Sequence, residues 1–144
     1  MIEHNKIVKF VQSQKSLHLY KKAQQAFVDV LSNLSDDEYN IVTDNLIIMA
    51  IHDGVTGQVM HFPPNASKFT VMQLTIKKDM PISVLRRVVA HELGHVMQGR
   101  NWQESDGFSL EEDADKWAEK WGFPFTPEVE KWQKDHYYSY YEKN

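Results

Sequence analysis

The chain has 144 residues, the length of one domain, and its apolar content of 42% and charged content of 25% are those of a globular protein. It has no cysteine, which excludes a disulfide framework and a thiolate metal site, and its net charge of -4 gives no reason to expect a nucleic-acid partner. No apolar run approaches the ~20 residues of a membrane span. The charged start MIEHNKIVKF lacks the apolar core of a signal peptide, so a soluble, cytoplasmic protein without a membrane partner is expected.

Within residues 5–34, Val8, Val11, Leu17, Tyr20, Phe27, Val30, Leu31 and Leu34 recur at three- and four-residue steps. That period predicts helix, with a break near Ser13–Ser16. His4 and His18 are expected on its surface. Ser35-Asp36-Asp37-Glu38 is a capping box that opens a short helix running to about Asp44. The period then changes. Leu46–Ile51 is an apolar run, His52–Gly57 supplies turn residues and Gln58–Phe62 alternates, which together predict a β-hairpin. After the loop Pro63–Ser67, residues 69–76 predict a third strand, apolar at 69, 71, 74 and 76, with one slip that marks a bulge. His52 and His61 read as turn or sheet residues, because neither has a partner at ligand spacing.

Val84–Gly99, VLRRVVAHELGHVMQG, is the stretch around which the chain is organised. Asp79 is expected to cap this helix, with Pro81 in its first turn and Gly99 as its stop. Val84 and Val88 share the stripe of His91 and His95, while Leu85, Val89, Leu93, Val96 and Met97 cover most of the remaining circumference. A helix apolar nearly all round is a buried one, and two histidines and a glutamate on it need a reason to be there. His91-Glu92-Leu93-Gly94-His95 is an HExxH motif. Residues four apart lie on one helix face, so the two imidazoles can hold one zinc ion and Glu92 can reach a water beside it.

A polar loop, Arg100–Ser109, is expected before a helix from near Leu110 to Gly122, whose apolar face is Leu110, Ala114, Trp117, Ala118 and Trp121. A catalytic zinc takes three protein ligands and keeps one position open, and without cysteine the third ligand is a carboxylate or another histidine. Glu112 points away from the apolar face, and Asp113 lies on the edge beside Trp117. Glu111 lies on the other edge beside Ala118, with Asp115 one turn on. Glu111 is therefore the expected ligand, and Asp115 the carboxylate that orients His91 through its other ring nitrogen. Thr126 and Pro127 start a last helix with Val129, Trp132, His136 and Tyr140 on one side. This aromatic tail either packs on the core or covers the cleft, and one of His136, Tyr137, Tyr138, Tyr140 or Tyr141 is a candidate for stabilising an oxyanion.

HELGH followed by Glu111-x-x-Ala114-Asp115-x-x-Ala118 resembles the gluzincin metallopeptidases, and the shape VVAHELGH…EEDADKWA is most similar to small proteins of the ImmA/IrrE type and to the minimal gluzincins. The likeness covers residues 82–121 well and the preceding strands loosely. The gap from His95 to Glu111 is shorter than in that group, and Asp115 stands where ImmA-type proteins often have Asn. The resemblance implies that His91, His95 and Glu111 bind zinc and that Glu92 is the general base. It also implies one zincin-like α+β domain over residues 1–144. N-terminal helices and a short three-stranded sheet come first, then the HExxH helix, then C-terminal helices carrying the third ligand. The expected function is zinc-dependent hydrolysis of a peptide or protein substrate, with strand 69–76 pairing with an extended peptide. Two further classes fit the same residues: a catalytically silent zinc-binding regulatory or interaction module, and an effector protease with a single protein target.

Overall fold

The computed structural model describes residues 2–52, 57–62, 65–99 and 107–138. The order is α1 (His4–Ser13), a 3-10 turn (Lys15–Leu17), α2 (Lys21–Leu31), α3 (Asp36–Thr43), β1 (Leu46–Ile51), β2 (Gly57–His61), β3 (Thr70–Thr75), α4 (Ile82–Gln98), α5 (Gly107–Lys120) and α6 (Pro127–Gln133), which runs on into a π turn over Lys134–Tyr138. The fold is thus α+β, and the break expected near Ser13–Ser16 separates α1 from α2. His4 and His18 are exposed. In α2, Ala23, Ala26, Phe27, Val30 and Leu31 form one stripe and are all fully buried. Among the described residues, no helix is long and apolar enough to cross a membrane.

The capping box forms as expected: the Ser35 hydroxyl accepts from the Glu38 amide, and the Ser35 amide donates to Glu38 Oε1 at 2.8 Å. Glu38 also does something the pattern does not encode. Its carboxylate accepts from Lys120 Nζ at 2.6 Å and from Trp121 Nε1 at 3.2 Å, which ties α3 to the end of α5. Burial raises its pKa, but hydrogen bonds from Lys120, Ser35 and Trp121 outweigh that and hold it near 2.

The expected hairpin between the first two strands does not form. The sheet order is β1-β3-β2, with β1 parallel and β2 antiparallel to β3. Leu46 and Ile48 of β1 share a buried face with Met72 and Leu74 of β3, and that shared face, rather than the intervening turn residues, selects the partner. Residues 53–56 of the expected turn lie outside the described set. The expected bulge is absent too, because the register runs unbroken from Leu46↔Thr70 to Ile51↔Thr75. Phe69 lies beyond the strand end and is exposed, while Met72, Leu74 and Ile76 alternate inward.

The two sheet edges differ. Gln14 and Ser16 seal the outer edge of β1. Gln14 accepts from the Ile48 amide and donates to the Leu46 carbonyl, and Ser16 accepts from the Ala50 amide and donates to the Ile48 carbonyl. Among the described residues no strand pairs with the other side of β2. The expectation that residues 69–76 accept a peptide is therefore corrected. β3 is the central strand, with both edges taken, and β2 carries the edge that no described strand covers.

Helix α4 runs through the middle, packed against α2, α3, α5, α6, β2 and β3. Val84, Leu85, Val88, Val89, Ala90, Leu93 and Val96 are all buried along it. It starts one residue after Pro81, which sits at the N-cap with extended backbone, so Asp79 is not the cap. The proline keeps Met80 out of helical backbone, and Asp79 is left in the preceding turn. Gly99 closes the helix with φ 64°. Helix α5 begins at Gly107, three residues before the expected Leu110, so part of the expected loop is helical; residues 100–106 lie outside the described set. Gly122, at φ 95°, ends its last turn.

Thr126 caps α6 by accepting from the Val129 amide. Val129 is buried, and Glu128 accepts a hydrogen bond from Ser83 in the first turn of α4. That contact lies eight residues, or about 12 Å along the helix, from His91. The start of α6 therefore packs at the N-terminal end of α4. His136 stacks on Trp132 with centroids 3.5 Å apart. Tyr140 and Tyr141, and the side chains of Tyr137 and Tyr138, lie outside the described set.

Candidate metal centre

The four-residue spacing on α4 sets His91 and His95 on one face, with ring centroids 4.8 Å apart and planes at 82°. Both rings turn their Nε2 atoms to the same carboxylate. Glu111 Oε2 lies 2.9 Å from His91 Nε2, and Glu111 Oε1 lies 3.2 Å from His95 Nε2. Each Nδ1 has its own acceptor. His91 Nδ1 donates to Asp115 Oδ1 at 2.8 Å, and His95 Nδ1 donates to Gln98 Oε1 at 2.9 Å. Gln98 is itself fixed, because its Nε2 donates to the Leu110 carbonyl at 2.7 Å. With both Nδ1 atoms committed, each Nε2 is directed at one small volume between α4 and α5.

His91, Glu92 and His95 form a group that could hold a metal ion, with ligand atoms within 4.8 Å of one another. Glu111 stands closer still to the two nitrogens. Its distances of 2.9 and 3.2 Å approach the edge of a tetrahedron around a zinc ion, which is about 3.3 Å for metal–ligand bonds of about 2.0 Å. Glu92 occupies a different place. It is 5% exposed, and its Oε2 is buried with no hydrogen-bond partner among the described residues. An orphaned carboxylate oxygen at that depth needs a charged or hydrogen-bonding partner.

The electrostatics follow from these contacts. Burial pushes the Glu92 carboxyl up to about 7; the charge of Glu111 adds to this, and His91 and His95 oppose it. Burial alone would lower His95, but its bonds to Glu111 and Gln98 prevail and raise it to about 9. The two histidines hold Glu111 far below the usual carboxylate range.

Two glycines make room for the centre. A Cβ on Gly94 would stand 2.9 Å from the Ala114 carbonyl oxygen and 3.0 Å from Ala114 Cα, so a bare backbone here lets α5 lie directly on α4. A Cβ on Gly57 would stand 2.8 Å from Glu92 Cγ, so the end of β2 lies against the Glu92 side chain. His61, at the other end of β2, donates from Nε2 to the His95 carbonyl at 3.0 Å.

The structure thus brings together His91, Glu92, His95, Glu111 and Asp115. Glu112 is exposed, and Asp113 accepts from Gln98 at 3.2 Å on the far side of the site. His52 pairs with the Tyr20 hydroxyl at 3.0 Å. Sequence reading missed Gln98, Gly57 and Arg87. Gln98 stands one turn after His95, as Arg87 stands one turn before His91, and that spacing is the signal that could have found them. Comparison with protein-family models, with curated proteins and with solved structures finds no match for the chain.

Proposed function

We propose that the chain is a zinc-dependent metallopeptidase of gluzincin type, with His91, His95 and Glu111 as zinc ligands and Glu92 as general base. One observation carries this reading. Two imidazole Nε2 atoms and one carboxylate converge at near-tetrahedral spacing beside a buried glutamate whose Oε2 has no partner among the described residues. Two nitrogens, a carboxylate and no thiolate form a ligand set that suits zinc. When bound, zinc polarises a water and the scissile carbonyl. The chain's own residues do the rest. Glu92, buried beside the two imidazoles, takes the proton of the attacking water and passes it to the leaving amine. Asp115 and Gln98 hold the two rings in one tautomer.

The open edge of β2 supports a substrate that binds as an added strand. In the parallel pair, the Thr70 and Ile76 amides donate to Asn45 and Ile51, so Val71 and Gln73 turn their backbone groups to β2. Met60 and Gln58 answer them, and Val59, between the two, faces outward. An extended peptide pairing there would run past Gly57 and Glu92.

The test is a peptide-library digestion with zinc-loaded wild type and Glu92→Gln, read by mass spectrometry. Cleavage by wild type alone, with about one zinc in both proteins, is the expected result. Zinc in both and cleavage by neither would replace the peptidase with a silent zinc-binding module. A single substrate cleaved in a cell extract, with a silent library, would narrow the reading to a one-target protease.

A further inference from the structure

Arg87 is 5% exposed and sits on the metal-bearing helix one turn before His91. A charged guanidinium at that depth needs partners in fixed positions. It has three. Nη2 donates to Asp115 Oδ1, Nη1 donates to the Phe123 carbonyl at 3.0 Å, and the guanidinium lies 5.6 Å from the centroid of the Phe125 ring. The oxygen that receives Nη2 is the one that accepts from His91 Nδ1. Asp115 therefore bridges a buried cation and a metal-facing imidazole through a single atom.

The arrangement matters because Asp115 is otherwise poorly held. Its side chain is 54% exposed, on the outer edge of α5. An aspartate so exposed samples several rotamers and exchanges its partners with water. The guanidinium removes that freedom from below. It reaches Asp115 from the buried side, where its own position is set by α4 and by the Phe123 carbonyl.

Resting on the metal-centre reading above, we infer that Arg87 is a positioning residue of that centre, acting through Asp115 to fix the orientation of His91. The guanidinium holds the carboxylate, the carboxylate holds Nδ1–H, and the ring plane that results points Nε2 at the metal. The neighbouring Arg86 provides an internal contrast. Its Nε and Nη2 both meet Asp29 Oδ2 on α2 at 2.7 Å, an arginine–aspartate bridge that involves neither Asp115 nor either histidine.

The test measures zinc affinity by chelator competition in folded Arg87→Met, Arg87→Lys, Arg86→Met, Asp115→Asn and the double variant Arg87→Met/Asp115→Asn. Loss of an outer partner of a metal-binding histidine typically weakens affinity about 10- to 100-fold. Arg87→Met is expected in that range, Arg87→Lys between it and wild type, and Arg86→Met within about twofold of wild type even if its melting temperature falls. The double variant should be no weaker than Asp115→Asn alone, because the two residues act in series. Wild-type affinity in Arg87→Met would overturn the inference, and additive losses would overturn the route through Asp115. A second readout needs no metal. The His91 Nδ1 proton should give a protected NMR signal in wild type and Arg86→Met, and should be lost to exchange in Arg87→Met. If wild type binds no zinc, the metal reading fails, while retention or loss of this signal still decides the role of Arg87.

Discussion

Gly94 and Ala114 touch backbone to backbone. A methyl on Gly94 would meet the carbonyl oxygen and Cα of Ala114 within 3.0 Å. This crossing sets how closely α5 approaches α4, and so whether Glu111, one turn before Ala114, reaches the two rings. Gly94→Ala should destabilise the protein by about 1–3 kcal/mol through overpacking. Helix propensity alone would stabilise it by up to about 1 kcal/mol, so the sign of the change decides which effect wins. Zinc affinity should fall with it. A higher urea midpoint with unchanged zinc affinity would show that α5 yields freely.

Glu111→Ala should lose most of the bound zinc, while Glu112→Ala, one residue on and exposed, should keep about one ion per chain. Metal analysis of the purified variants reads this directly. Equal retention would remove Glu111 from the ligand set, and loss only in Asp113→Ala would transfer the role to that residue.

Gly57→Ala should leave fold and zinc content intact and lower kcat by about 10- to 100-fold, because the new methyl displaces the Glu92 carboxylate from its place. KM should change much less. A wild-type kcat in this variant would mean that the position of Glu92 does not depend on the bare backbone beside it.

Stability should depend on pH in opposite ways with and without zinc. In the metal-free protein His95 is raised from 6.5 to about 9, so its contribution is complete below 6.5 and is lost as pH rises through about 9. Glu92, raised from 4.5 to about 7, adds stability below 4.5 that is lost as pH rises through about 7. Glu38 acts the other way. Its contribution is complete above 4.5 and is lost as pH falls through about 2. The metal-free melting temperature should therefore fall from pH 4.5 toward pH 9, and fall again in strong acid. Zinc requires neutral imidazoles, so the loaded protein should gain stability over pH 6.5–9 instead. Parallel profiles for the two forms would contradict the assignment of His95.

What was legible in the sequence was local. The Ser35–Glu38 box, the HExxH spacing, and the edge of α5 shared by Glu111 and Asp115 all follow from helical geometry within a few residues. Strand order was not legible, because β1 selects β3 through a buried face completed only when Met72 and Leu74 meet Leu46 and Ile48. Nor was the start of α4, where the backbone limits that Pro81 places on Met80 overrule the capping propensity of Asp79. Arg87 and Gln98 were hidden for a related reason. Each reads as an ordinary polar residue on a helix until α5 places Asp115 beside the one and the Leu110 carbonyl beside the other.

The side-chain seal on β1 has a consequence for self-association. A sheet that is open on both sides can be extended without limit, molecule upon molecule. Here Gln14 and Ser16 already occupy the Leu46 carbonyl, both Ile48 groups and the Ala50 amide on one margin, so among the described residues β2 carries the edge left for a second molecule. Two copies meeting there would each cover the other's β2, the strand margin left uncovered among the described residues, and growth would stop at a pair. Crowded samples of the folded protein should therefore accumulate closed dimers and not fibrils, and the dimer would bury the same strand that a substrate peptide needs.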